Sequence, residues 1–196
     1  MSAAEALFLE KLYADVSMRE LADRAGVTTG ALYYHYPSKA ELYYEMLRAD
    51  FAEKRRLLKG VVDRRASAYG NLESLLRAFV TIPAEKRDLM HLVRRDINAF
   101  RDPMRREIIA IYQRSLPDII AWVVHQGVKR GELRPGDPTL IARQLIGLLE
   151  VALAPYGVRE LGGEGAVVDQ VMEMFWRGAG NGEPSVGVEG ASSSSG

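Results

Sequence analysis

The chain has no cysteine. That excludes a disulfide framework, a thiolate nucleophile and a cysteine-ligated metal, and it fits a cytoplasmic setting. Histidine is nearly as scarce. His35, His91 and His125 stand far apart, with no carboxylate–histidine pair at ligand spacing, so no metal site is expected. Long apolar runs are missing too. The longest, LIGLLEVALAP, is interrupted by Glu150 and falls short of the ~18 residues of a membrane span, so no membrane partner is expected. The opening MSAAEALFLEKLYADVS lacks the basic start and apolar core of a secretory signal. No nucleophile elbow, phosphate loop or dinucleotide fingerprint is present, and GGEG has no strand before it. Neither catalytic residues nor a cofactor are therefore expected. Net charge is absent as well: 26 Lys and Arg balance 26 Asp and Glu. That argues against a generic nucleic-acid glue but leaves room for a small, locally arranged phosphate-binding face.

What the chain does have is apolar residues at three- and four-residue steps almost throughout, with glycine and proline gathered at boundaries, which predicts an all-α fold. A short helix is expected over 3–12. Ser17 with Glu20 forms a capping box for a helix ended by Gly26, and Thr28 or Thr29 opens another through Tyr34. Ser38 with Glu41 opens a long helix to about Leu58. Asn71 is read as the cap of a helix through Val80, and 84–100 as the next helix. A long helix from Met104 to Arg130 should bend or divide at Pro117. Asp137 caps a helix that starts at Pro138 and runs to about Ala154, and 166–177 is the last helix. The remainder, 179–196, is Gly/Ser-rich and reads as a disordered tail.

The segment SMRELADRAGVTTGALYYHYPSK carries the functional signal. Leu21, Val27 and Leu32 are its apolar anchors, and Gly26 allows a sharp turn between two short helices. On these anchors alone a DNA-binding helix-turn-helix and a plain helical hairpin fit equally well. The ring cluster separates them. With Leu32 and Tyr36 turned inward, Thr28, Thr29, Tyr33 and Tyr34 face out, with His35 at the helix end. Hydroxyls and imidazoles bond phosphate oxygens and base edges, which gives such a surface a use. Lys39 sits in the first turn of the following helix, where a cation opposes the helix dipole unless an anion arrives between them.

With these residues in place, SMRELADRAGVTTGALYYHYPSKAELYYEML resembles the DNA-binding domain of the TetR family of bacterial transcription regulators. The close likeness covers Phe8 to Leu47. The resemblance implies an N-terminal three-helix helix-turn-helix domain (1–47) and a C-terminal helical bundle (48–178) for ligand binding and dimerisation. It places Arg19, Thr28, Thr29 and Tyr33 where base edges are reached, and Ser17, Tyr34, His35 and Lys39 where phosphates are contacted. Gly30 matches a position of close backbone approach to double-stranded DNA. The implied function is a ligand-responsive regulator, a repressor acting as a homodimer on a palindromic operator. The alternative is a helical small-molecule binding protein with a vestigial helix-turn-helix.

Two further sets follow from the remaining helices. Met90, His91, Arg94, Phe100, Tyr112 and Trp122 supply aromatic, sulfur and cationic surface, either as ordinary core and solvated face or as a pocket for a small hydrophobic or acyl-type effector. Leu145, Leu148, Leu149, Val171, Met174 and Phe175 lie on helices too apolar for one-sided burial. Two such helices from each of two chains would form a four-helix dimer interface.

Overall fold

The computed structural model describes residues 3–182. They form α1 (Ala3–Glu10), a 3-10 turn at Tyr13–Asp15, α2 (Met18–Ala25), α3 (Thr29–His35) and α4 (Lys39–Gly60), followed by α5 (Ala68–Val80) and α6 (Ala84–Asp96). A second 3-10 turn (Ile97–Ala99) leads to α7 (Met104–Arg114), α8 (Leu116–Lys129), α9 (Pro138–Ala152), α10 (Pro155–Leu161) and α11 (Glu164–Ala179). The all-α expectation holds: among the described residues the only β-type pairing is an isolated bridge between Leu133 and Gly180. No single described helix is long and apolar enough to cross a membrane.

The described residues group into two compact units, 3–61 with 77–120 and 62–76 with 121–182. In the first, α1 packs on α2, α4 and α6, and α4 lies along α7. Leu7, Phe8, Leu21, Leu47 and Phe51 are fully buried there. Phe8, Tyr13, Tyr43 and Phe100 form a ring cluster in which the Phe8–Tyr43 pair meets edge to face at 4.9 Å and the Tyr13–Phe100 pair stands 4.4 Å apart. Each such pair adds about 0.5–1.5 kcal/mol beyond its area burial. Tyr43 donates its hydroxyl to Asp96 Oδ2 at 3.2 Å, and burial followed by the charge of Asp96 pushes its pKa far up.

The first unit also holds a buried ion pair. Lys54 and Asp50, one turn apart on α4, are each 3% exposed at the side chain, and Lys86 of α6 bridges Glu5 at 2.7 Å and Asp50 at 3.9 Å. Burial lowers the ammonium of Lys54 and raises the carboxyl of Asp50.

In the second unit α9, α10 and α11 pack together. Ala142, Leu145, Ile146 and Leu149 from α9, and Val167, Val168, Val171, Met172 and Phe175 from α11, make its core. Gly157 opens a close approach: a Cβ there would stand 2.2 Å from the Ala152 carbonyl oxygen. Only glycine lets α10 turn back so tightly on the end of α9.

Several local expectations change. The 104–130 helix does divide, but at Ser115, two residues before Pro117, which falls just inside the start of α8. Proline is tolerated there because it removes no intrahelical hydrogen bond in the first turn. Asn71 is not a cap but a clamp inside α5. Its amide accepts from Asp63 N at 2.8 Å and donates to Asp63 O at 2.8 Å, tying down the preceding loop. α10 fills part of the stretch between the helix expected to end near Ala154 and the one expected over 166–177. Residues 179–182, placed in the tail, are held: Arg134 N donates to Ala179 O at 2.8 Å, Asn181 N to Glu132 O at 2.9 Å, and Trp176 Nε1 to Gly182 O at 3.0 Å. The rest of the tail expectation lies outside the described residues.

Candidate nucleic-acid interface

α2 begins where Ser17 Oγ accepts from Glu20 N at 3.1 Å. It ends in a Schellman motif: Gly26 adopts φ 69°, its N–H reaches Asp23 O at 3.2 Å, and Val27 N reaches Ala22 O at 3.0 Å. Only glycine takes this left-handed conformation without strain. Val27 therefore follows directly on the turn and is 45% exposed, a correction to its reading as a buried anchor. Thr28 Oγ1 then accepts from Ala31 N at 3.1 Å and opens α3. Two capped helices joined through Gly26 and Val27 make a helix-turn-helix. Ala22 is fully buried, so a small side chain lies on the inner side of α2, which packs on α3.

α3 has no fully buried residue. Thr29, Leu32 and Tyr36 form its half-buried stripe, at steps of three and four. Thr29 thus faces further inward than the sequence suggested. Thr28, Gly30, Tyr33, Tyr34 and His35 are exposed, Tyr34 at 86%. The rings of Tyr34 and His35 meet edge to face at 5.2 Å. Nothing within 4 Å meets a Cβ added at Gly30, so its surface lies open. On α2, Arg19 projects into solvent with its side chain 86% exposed and Asp23 4.0 Å away. Ser17 is exposed, its hydroxyl oxygen occupied by the cap.

Lys39 is where the structure departs most from the sequence reading. Its ammonium donates to Val16 O at 2.6 Å, to Tyr13 O at 2.7 Å and to Ala14 O at 3.4 Å, and lies 4.3 Å from the centre of the Tyr13 ring. Burial lowers its pKa. The negative partner that its position called for is the carbonyl end of the Tyr13–Asp15 turn, not an arriving phosphate.

Two family models match the chain: bacterial regulatory proteins of the tetR family over residues 1–46, and the tetracyclin repressor-like C-terminal domain over 66–153. Together they span more than half of it. The chain belongs to the TetR family. It is a transcriptional regulator with a helix-turn-helix. It is 28% identical over 137 residues to the HTH-type transcriptional repressor KstR2 of Mycobacterium tuberculosis, covering 69% of this chain and 68% of that protein. A TetR-family regulatory protein from Rhodococcus RHA1 superposes with TM-score 0.76 at 20% identity, over 92% of this chain and 95% of that one. AibR, solved with isovaleryl coenzyme A and operator DNA, superposes with TM-score 0.71 at 21% identity, over 88% and 94%. At such identities the two solved structures share the fold.

For a TetR-family chain the remaining sets matter as effector and subunit surfaces. The six pocket candidates do not converge. Met90 and Phe100 are buried in the first unit, Phe100 within the ring cluster. Tyr112 meets the Phe51 ring edge-on at 6.1 Å. His91 and Arg94 are exposed and bonded to each other at 3.0 Å. Trp122 lies in the other unit and borders a cavity of about 320 Å³ with Arg64, Asn71, Gln126 and Arg130. Apolar and aromatic residue types at helical spacing also describe an ordinary core, and that is what Met90 and Phe100 form.

Of the six interface candidates, Leu145, Leu149, Val171 and Phe175 are at most 6% exposed and belong to the subunit's own core. Leu148 and Met174 do lie outside, at 37% and 57%. Leu140 at 57% and Val151 at 78% continue the exposed apolar face. With Gly147 and Gly178, these residues line an open groove of about 1060 Å³ between α9 and α11. Leu140, Gln144, Leu148 and Val151 recur at helical steps, the signal that would have found the stripe.

Proposed function

We propose that this regulator is a repressor that binds a palindromic operator as a homodimer and leaves it when a small hydrophobic or acyl-type effector binds. Residues 1–47 read the DNA, and 48–178 hold the effector and join the subunits. The observation that carries the reading is the outer face of α3. Thr28, Tyr33, Tyr34 and His35 stand uncovered on a helix whose start is fixed by a side-chain cap and whose approach is fixed by Gly26. Hydroxyl and imidazole groups in that setting meet phosphates and base edges, while Gly30 leaves room for the groove wall. In a helix-turn-helix of this kind the second helix enters the major groove and the first crosses the backbone. Arg19 and Ser17 on α2 then lie toward phosphates and flanking bases.

The exposed face of α9 and α11 supports the dimer, which sets two reading helices about 34–36 Å apart on successive major grooves. That KstR2 is a repressor and that AibR is solved with an acyl coenzyme A supports the direction of the response and the effector class. An effector that binds better to a state with the wrong spacing lowers operator affinity by that difference in affinity. Selection of bound sites from a random duplex library tests the reading. An enriched palindrome with half-sites one helical turn apart supports it, and equal binding to all sequences rules it out.

A further inference from the structure

α1 ends at Glu10 without a glycine to turn its last carbonyls inward, and Lys11 and Leu12 follow. Helix-terminal carbonyls need partners from elsewhere. Lys11 N donates to Leu7 O at 3.0 Å, and the carbonyls of Phe8 and Leu9 find their partners in a single side chain of α6. Arg95 Nη2 donates to Phe8 O at 2.6 Å and to Lys11 O at 2.8 Å, and Nη1 reaches Leu9 O at 3.5 Å. The guanidinium is held from its other edge by the carboxylate of Asp96, through Nε–Oδ1 at 3.0 Å and Nη2–Oδ2 at 2.8 Å. Asp96 is itself 3% exposed at the side chain and accepts from the Tyr43 hydroxyl of α4.

At its other end, α1 is gripped by the same helix, through Lys86 on Glu5 at 2.7 Å. Lys86 and Arg95 are nine residues apart, about 13.5 Å along α6 at a helical rise of 1.5 Å per residue. The run from Glu5 to the carbonyls of Phe8 to Lys11 is shorter, about 4.5–9 Å at the same rise, and the two long cationic side chains span the difference, so α6 holds α1 near both ends. Beyond the Arg95 cap the chain has only the Tyr13–Asp15 turn and buried Val16 before Ser17 opens α2, and α2 carries α3.

We propose that Arg95 is a positioning residue for operator binding: its fork fixes the end of α1 and the linker to α2, and so sets the orientation of the α2–α3 reading unit from α6. It touches no DNA in this role. The fork matters because one planar guanidinium satisfies three carbonyls and a carboxylate together, which a lysine ammonium cannot do. The inference rests on the reading that α3 contacts DNA, but its structural part stands apart from that reading.

The test uses the full chain, the duplex that the wild-type protein enriches from a random library, and hydrogen exchange of the free protein. R95M is expected to bind that duplex about 10- to 30-fold more weakly, which is about 1.4–2 kcal/mol at one decade per 1.4 kcal/mol. Exchange should quicken over 8–20 while α9 and α11 keep their protection. R95K should recover only part of the affinity. Y43F, which keeps the guanidinium and removes one of the two donors to Asp96 Oδ2, should shift exchange in the same segment by less, and it serves if R95M does not fold. Affinity within twofold of wild type with unchanged exchange in R95M overturns the proposal. So does exchange that quickens equally in α9 and α11, which would make Arg95 a general stability residue, or full recovery in R95K. If the wild type enriches no duplex, the functional reading fails, and the exchange pattern still decides whether Arg95 holds the linker.

Discussion

Replacing Val151 by glutamate should break the dimer while leaving the subunit folded. Val151 is 78% exposed in the isolated chain and lines the α9–α11 groove, so glutamate there costs the monomer almost nothing. The dimer is another matter. The exposed fractions of Leu140, Leu148, Val151 and Met174 add up to a little more than two whole apolar side chains per subunit. At ~1.5–3 kcal/mol for each fully buried side chain, pairing two such faces gains about 7–14 kcal/mol. Association costs about 4–15 kcal/mol in lost freedom. Gain and cost are thus of one size, and no single contact is spare. Losing the exposed part of two valines removes roughly 2–4 kcal/mol. That is about a 30- to 1000-fold weaker dimer, before the added cost of burying two carboxylates. Sedimentation velocity should show the wild type dimeric near 1 µM, on the order expected of a stable regulator, and V151E monomeric, with unchanged helical circular dichroism. V151A should fall between them. A V151E dimer that dissociates at the wild-type concentration, or a wild type that is monomeric throughout the micromolar range, would refute the assignment of this face.

Three other outcomes follow from the structure. Y33F removes a hydroxyl from a residue 49% exposed on α3. It should weaken operator binding about three- to tenfold, the worth of about one hydrogen bond, with the thermal midpoint essentially unchanged; equal affinity would take Tyr33 out of the interface. K54M leaves Asp50 buried with only Lys86 in range, at 3.9 Å, and should cost about 3–5 kcal/mol in chemical denaturation, whereas the double variant D50L/K54M should recover most of it. Burial holds the Asp50 carboxyl above its ordinary value, so protonation favours the folded state. The K54M deficit should therefore shrink as pH falls through that raised value and grow as pH rises through it, and a deficit that deepens on acidification would be the wrong sign. Finally, operator affinity should depend only weakly on salt. Of the four Lys and Arg residues of 3–47, three are engaged, Lys11 with Glu20, Arg24 with Glu10 and Lys39 with carbonyls, while Arg19 projects into solvent 4.0 Å from Asp23. With about one or two neutralised phosphates per subunit, the slope of log K against log salt should lie between about −2 and −4, and a slope near −8 would contradict this count.

What could be read from the sequence was what a residue does to its own neighbours. Ser17, Thr28, Ser38 and Asp137 each cap the helix they were expected to cap, accepting from Glu20, Ala31, Glu41 and Leu140 amides respectively. A cap is a bond across three residues, so spacing alone reveals it. Gly26 was legible for the same reason. Where local pattern and tertiary need differ, the reading failed. PYGVREL has too few residues and too weak a stripe to announce α10, whose path depends on Gly157 clearing the Ala152 carbonyl. The apolar excess of α9 and α11 signalled more apolar surface than the subunit's own core takes up, and part of it does lie exposed. Hydrophobicity cannot tell which face the subunit keeps, however. Leu145 and Leu149 went to its own core, while Leu140 and Val151 were left outside.

Lys39 and Arg95 show why the electrostatics of the reading head were the hardest part to foresee. A cation at a helix start is unfavourable toward that helix, and the sequence argument concluded that an anion must come from outside. The premise was sound and the partner was misplaced. The carbonyls of Tyr13, Ala14 and Val16 lie 23 to 26 residues upstream of Lys39, and those of Phe8, Leu9 and Lys11 lie 84 to 87 upstream of Arg95. Both sets face a cation because α1 and the turn after it end without caps of their own. A short first helix with no glycine stop leaves its carbonyls to be satisfied by whatever packs against it, and in this fold α4 and α6 are the helices that do. The missing local cap is thus the sequence trace of a long-range contact. It also explains how a reading head with few available cations over 3–47 is held in place: Lys39 is spent on the backbone before α2, Lys11 and Arg24 on carboxylates, and Arg19 projects into solvent, so mostly hydroxyls and rings are left to face the groove.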